Sequence, residues 1–451
     1  MLVVISDLHL TDGTSGETIS PDAFRIFCDD IKVAISNACF QKAGDSKKFI
    51  PIDRCDIVFN GDVLDVIRSN VWRGDVALKP WADPDSETFI SAVNEITDKI
   101  LTFNARALEY LRNLSQGVEI SSPEGDVFSV AVNLHYLVGN HDWFYHLPDP
   151  RLHVTRSKII TAMGLSNKPD TIIPHTIGEI KNCELEALCL QHKVYIQHGD
   201  LHDNINYIKS EGRNYSSLGD AIVVLMLNAF PEVVQEQLKL PADDALVVKL
   251  RELDNVRPLY ESPAWVYSVL KQYASADQYR QIVKIWKNCL KEMLKTPFVK
   301  HAKNYLSVGE KIKFWFQFGL SRYISLKAFV WLAGFASKFL PEHEKSYLDG
   351  ASNEPWLNAV GNGPAKANYV TYGHTHIELI YPIDEVTEDN KLIDKIYFNS
   401  GTWRLVHRRT QKNKKQYEYA RYHVMTYLAF YKENERGGRP YETWTGHLGI
   451  E

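Results

Sequence analysis

At 451 residues the chain is too long for one ordinary small domain and long enough for a large core plus an insertion. An apolar content of 45% and a charged content of 24% exclude a disordered chain, and a net charge of −5 is too mild to select a partner. The cysteines (Cys28, Cys39, Cys55, Cys183, Cys189, Cys289) form no C-x-x-C pair, which argues against a disulfide framework or a thiolate zinc site.

Residues 1–5 read as an apolar strand with no signal-peptide segment ahead of it, so a reduced, cytoplasmic setting is expected. No uninterrupted apolar stretch is long enough to predict a membrane span. Short runs rich in Val, Ile, Tyr and Phe predict strands over 2–6, 55–60, 134–139, 193–198, 369–373 and 395–399, with a last one over 422–431. Helical periodicity marks 21–39 and 87–114, the second after a capping signal at 83–86. Residues 205–365 read differently: helices are predicted over 218–230, 232–253, 264–274, 278–294 and 312–339. Residues 436–440 read as a turn. The expected organisation is therefore an α/β core in two parts, 1–204 and 366–451, interrupted by a helical insertion or cap over 205–365.

Five polar clusters close these strand candidates: Asp7-Leu8-His9, Gly61-Asp62-Val63-Leu64-Asp65, Gly139-Asn140-His141-Asp142, His198-Gly199-Asp200 and Gly373-His374-Thr375-His376. A lone His at a strand end is more often a hydrogen-bonded surface residue than a ligand. The conjunction carries the signal, because open α/β sheets bind ligands beyond the carboxyl ends of their strands. Two divalent cations held about 3.5–4 Å apart activate water and clamp a phosphoryl group together. Such a pair wants carboxylate oxygen and imidazole nitrogen without thiolate, and a bare Asp after glycine can bridge it. The ligands in D-x-H and H-x-H share a face if strand geometry continues through them.

In this order the clusters resemble those of the calcineurin-like metallophosphoesterases: D-x-H, G-D-x-x-D, G-N-H-D, H and G-H-x-H. The resemblance covers 1–204 and 366–451 and implies an αββα sandwich core. It implies that Asp7, His9 and His376 hold one metal, that Asn140, His198 and His374 hold the other, and that Asp62 bridges. It gives His141 to the substrate's phosphoryl oxygens or leaving group, with Asp142 orienting it. The implied reaction is hydrolysis of a phosphate ester or anhydride by in-line attack of a metal-bridging hydroxide. The implied cofactors are two divalent ions, manganese before iron, zinc or nickel. Asp65 and Asp200 read as orienters of ligands or as turn residues. Asn399, Ser400 and Arg404 are expected near the site mouth, Arg404 suiting phosphate recognition.

Residues 271–345 hold fourteen Lys and Arg against five Asp and Glu, with Lys284, Lys287, Lys291 and Lys295 in one helical row. Large aromatics are interleaved: Trp286, Phe314, Trp315, Phe316, Phe318, Phe329, Trp331 and Phe339. Three readings follow: a cap with its own core, a lid over a phosphorylated or lipid-linked small molecule with peripheral membrane contact, and a nucleic-acid track. The start Ser6-Asp7-Leu8-His9-Leu10 and His198-Gly199-Asp200 are similar to bacterial UDP-diacylglucosamine hydrolases, a group with Arg where this chain has His141. A nuclease is the first alternative and a scaffold on the same fold the second. The filled ligand set argues against the scaffold.

Overall fold

The computed structural model describes all residues except 75–77, 180–183, 258, 320, 322–324, 327, 329–344, 359–365, 389, 411–417 and 449–451. Much of the helix expected over 312–339 lies outside the described residues, together with Arg322, Lys327, Phe329, Trp331, Lys338 and Phe339. The described strands are β1 (Leu2–Ile5), β2 (Phe40–Ala43), β3 (Ser46–Phe49), β4 (Arg54–Asn60), β5 (Val118–Ser121), β6 (Val127–Leu137), β7 (Val194–Ile196), β8 (Tyr369–Tyr372), β9 (Glu378–Glu388), β10 (Lys391–Ser400), β11 (Leu405–Arg409), β12 (Tyr419–Phe430) and β13 (Tyr441–Leu448). The protein is a mixed α/β fold.

Two sheets position the site. In the first, β1 runs parallel to β4 and β4 parallel to β6, while β12 is antiparallel to β1 and β5 to β6. In the second, β8 is parallel to both β7 and β10, and β9 closes the edge antiparallel to β10. The two parallel cores explain why β1 reads Leu-Val-Val-Ile with every residue buried. Its alternate side chains serve different layers. Val3 and Ile5 pack with Phe24, Phe27 and Ile31 of the helix Pro21–Ala38. Leu2 and Val4 pack with Val194, Ile196 and Phe398 of the second sheet. On the far side of that sheet, Val370, Tyr372 and Tyr397 cluster with Tyr347 and Ala351 of the helix Lys345–Ser352. Each such buried aliphatic side chain is worth roughly 1.5–3 kcal/mol.

The helices depart from expectation at two places with physical causes. The span expected as one helix is two, Glu87–Phe103 and Ala105–Leu114. Asn104 breaks it by donating Nδ2–H to the Ile100 and Thr11 carbonyls, both at 2.8 Å, which ties the break to the loop after β1. Conversely, no break occurs before Glu232. Helix runs from Leu218 to Leu238, and a π-helical turn over Val223–Asn228 precedes Pro231, where the missing proline N–H leaves a carbonyl unserved. The helix stops instead at Lys239, which adopts φ 54°. That 21-residue stretch is long and apolar enough by length and composition to cross a membrane, though Asp220, Glu232 and Glu236 interrupt it and 78% of its most apolar window is buried inside the protein. Apolar side chains of the insertion, from Leu218 to Leu326, belong to the same continuous cluster as Leu8, Leu10 and Trp403. The turn at 436–440 returns the chain into β13, a strand the sequence reading did not predict.

Candidate metal centre

All five polar clusters follow directly on the carboxyl ends of parallel strands: β1, β4 and β6 in one sheet, β7 and β8 in the other. The backbone there is unusual. Asp7 (φ 53°), His9 (φ 46°), Asp62 (φ 54°), His374 (φ 68°) and His376 (φ 59°) all adopt left-handed conformation, which costs a non-glycine residue roughly 1–3 kcal/mol. The strand alternation expected through D-x-H and H-x-H therefore does not persist. Both members of each pair turn into the site because two left-handed residues flank one ordinary residue. Glycine is needed beside them for room. A Cβ on Gly139 would sit 2.3 Å from Asp62 Oδ1 and 2.7 Å from His198 Cδ2.

The ligand atoms converge. Asp7, His9 and His376 bring one donor atom each within 4.8 Å of one another, and so do Asp62, His198 and His374, and His9, Asp62 and His141. Asp62 Oδ2 lies 3.7 Å from His9 Nε2 and 3.2 Å from His198 Nε2, so one carboxylate oxygen faces two of the groups. Asn140 Oδ1 is 3.2 Å from His198 Nε2. His9 Nε2 and His376 Nε2 approach to 2.9 Å, and His376 Nε2 is 3.4 Å from Asp7 Oδ1. These buried His and Asp clusters can hold a metal ion.

The outer contacts fit ligation. His9 Nδ1 lies 2.9 Å from Asp65 Oδ2, and His198 Nδ1 lies 2.9 Å from the Asn60 carbonyl. An acceptor at Nδ1 fixes the tautomer and leaves the Nε2 lone pair pointing into the cluster. Asp203 Oδ2 and Asn206 Nδ2 each stand 3.4 Å from His374 Nε2. Among the described residues no thiolate takes part; Cys28, Cys39, Cys55, Cys189 and Cys289 are free, and Cys183 lies outside the described residues.

Burial and charge compete strongly here. Burial would raise the Asp62 carboxyl, but His198 and His141 outweigh it and hold it well below the usual range. Asp7 is lowered despite burial by hydrogen bonds to His376 and His9, and Asp65 by His141 and His9. Burial disfavours charge on His198 and His141, yet the neighbouring carboxylates, Asp62 for His198 and Asp65 with Asp62 for His141, push each up to about 10. Without metal His9, His141 and His198 thus stand as imidazolium partners of the carboxylates, whereas burial and the Arg257 guanidinium push His376 down to about 3. A raised pKa adds stability that is complete below the ordinary histidine value of 6.5 and is lost as pH rises toward 10. The metal-free protein should therefore lose melting temperature between pH 6.5 and 10. A metal ion ligated by His198 would displace its proton and should flatten the loss. Calorimetry with chelator and with Mn²⁺ across that range checks this; a flat metal-free curve would contradict it.

The geometry places Asp142, Arg404, Asn399 and Ser400 differently from expectation. Asp142 does not spend its carboxylate on His141. It accepts from the backbone N–H of Val63 (2.8 Å) and Gly139 (2.5 Å) and from Tyr136 Oη, tying the β4 and β6 loops together. Burial and the nearby Asp62 push it up to about 6. Asp65 orients His141 instead, with Oδ1 2.7 Å from Nδ1. Arg404, expected at the mouth, is 4% exposed and donates to Asp254 Oδ2 at 2.7 Å. Asn399 and Ser400 are buried beneath the loops, Asn399 donating to the Gly373 carbonyl and Ser400 Oγ lying 2.6 Å from Ser6 Oγ. Asp200 pairs with Arg213 at 2.6 Å. Sequence reasoning missed Asp203, Asn206 and Arg257, whose Nη2 meets His376 Nδ1. No motif marks them.

No protein-family model matches the chain, and no curated protein matches it either.

Proposed function

We propose that the protein is a metal-dependent phosphoesterase of metallophosphoesterase type, its layers forming that family's αββα sandwich and its site holding two divalent cations, manganese first. One observation carries the reading: a single Asp62 oxygen faces histidines that arrive from two different sheets, His9 from the first and His198 from the second. That is the place of a bridging ligand. Asp7, His9 and His376 would hold one cation, and Asn140, His198 and His374 the other. The cations would supply activation of water and neutralisation of phosphoryl charge. The chain's own residues set the stage. Asp65 fixes His9 and His141 together, and His141 stands beside His9 with ring centroids 4.6 Å apart. A histidine there can hold a phosphoryl oxygen or give a proton to the leaving group.

With Mn²⁺ the protein should hydrolyse p-nitrophenyl phosphate or bis-p-nitrophenyl phosphate. The ratio of the two then assigns mono- or diesterase action. Single-stranded DNA and a UDP-sugar lipid separate the nuclease alternative from a small-molecule hydrolase. Inactivity on all four, with no bound metal, would sink the reading in favour of a scaffold.

The insertion favours a partner as well: an anionic membrane surface. Trp286, Phe314 and Phe318 are core residues, and most of the Lys284–Lys295 row is solvated. By contrast Val308 (76% exposed), Ile312 (61%) and Trp315 (57%) form an outward apolar stripe at i, i+4 and i+7, with Lys311 exposed among them. The protein should co-sediment with vesicles containing anionic lipid and less with neutral ones, and Trp315→Glu should release it. Equal recovery in the supernatant with both vesicle types would remove this partner.

A further inference from the structure

We infer that Arg257, delivered by the helical insertion, grips a phosphoryl oxygen of the substrate, an assignment that rests on the phosphoesterase reading above. The insertion is then part of the active site.

The backbone at Arg257 is pinned to the core. Val256 bridges to His407 of β11, and the Arg257 N–H donates to the His407 carbonyl at 2.9 Å. Asp254, three residues earlier, is clamped from the core side by Arg404 at 2.7 Å and Arg68 at 3.8 Å. Three guanidiniums thus converge on one carboxylate segment, and they are not equivalent. Arg68 is fully buried, and its hydrogen bonds go to Asn228, Ser15 and Arg251. Arg404 is buried against Asp254. Arg257 is only partly buried, and it alone reaches a candidate metal ligand. Its Nη1 is held by the Asp254 and Val256 carbonyls at 2.5 and 3.0 Å, which leaves Nη2 turned to His376 Nδ1.

Counting donors shows what Nη2 is for. His376 turns Nε2 toward Asp7 and His9, so Nε2 is its ligating atom. An imidazole that ligates through Nε2 carries its remaining proton on Nδ1 and needs an acceptor there. A guanidinium has only donors. Once His376 ligates, Nδ1–H and Nη2–H oppose each other, and Nη2 must turn to an acceptor. The acceptor that belongs at a phosphoesterase centre is a phosphoryl oxygen, for which the arginine fork is suited. The phosphate-recognition role expected of Arg404 therefore falls to Arg257, and Arg404 acts by holding Asp254.

The test uses the full-length, Mn²⁺-loaded protein and inorganic orthophosphate as probe. Calorimetry should show that Arg257→Ala weakens orthophosphate binding about tenfold or more while metal content stays at the wild-type level. Arg257→Lys should recover part of the affinity, and KM for a phosphoester should rise in the same order. Unchanged orthophosphate affinity in Arg257→Ala would overturn the assignment. So would loss of metal from both variants, which would make Arg257 a brace for His376. If the wild-type protein takes up neither metal nor orthophosphate, the phosphoesterase reading itself fails and this assignment falls with it.

Discussion

Asp62→Asn should lower turnover by about 10³-fold or more, roughly 4 kcal/mol of barrier, and should empty at least one of the two metal positions. The substitution changes almost no volume, so the effect isolates the carboxylate. Asp62 uses both oxygens: Oδ1 accepts the His141 backbone N–H at 2.8 Å, and Oδ2 faces His9 and His198. An amide has only one acceptor. If it stays with the His141 N–H, an NH₂ group points at the cations; if it flips, two donors meet at His141. Metal analysis by plasma mass spectrometry beside a rate measurement checks this. A variant with full metal content and wild-type rate would remove Asp62 from the centre.

His141→Ala should behave differently. The ring is held by Asp65 and lies within reach of His9 and Asp62, close enough to be confused with a ligand. The proposal gives it to the substrate instead. Its removal should therefore cost about 10²–10⁴-fold in rate, the range of a positioned acid or base, with both metals retained. Loss of both metals on His141→Ala would reassign it as a ligand. Together the two variants separate holding the cations from handling the phosphoryl group.

The site was legible in the sequence because its residues are local. Four of the five clusters begin with or contain a glycine, and all five sit on an apolar run and keep their spacing, so Asp7, His9, Asp62, Asn140, His198, His374 and His376 could be named before their meeting was seen. What spacing could not convey was how they turn inward. The left-handed backbone at Asp7, His9, Asp62, His374 and His376 replaces the strand alternation expected there. Asp65 was expected to orient a ligand or serve as a turn residue, and it meets His9, but the partners of Asp142 and Arg404 were hidden for a related reason: each lies far along the chain, Val63 and Asp254 respectively. Arg257 had no signal at all. It lies between the helices expected over 232–253 and 264–274, and its meaning comes only from the β11 contact that carries it to His376.

Strand ends were likewise easier to read than strand bodies. β6 extends back to Val127 because its first half pairs with β5 and alternates between exposed and buried, which breaks the continuous apolar run that marks its second half. β13 was overlooked since Thr443, Thr445 and Gly446 dilute its apolar content, although it pairs with β12 along its length. Asn104 and Pro231 misled in opposite directions, one breaking a helix that periodicity continued, the other sitting inside a helix it was expected to divide.

Anomalous diffraction from crystals of the protein soaked in Mn²⁺ tests the central claim most directly. Two peaks that share Asp62 as a ligand are expected, one ringed by Asp7, His9 and His376, the other by Asn140, His198 and His374. A single peak elsewhere, or none at these strand ends under saturating Mn²⁺, would contradict it.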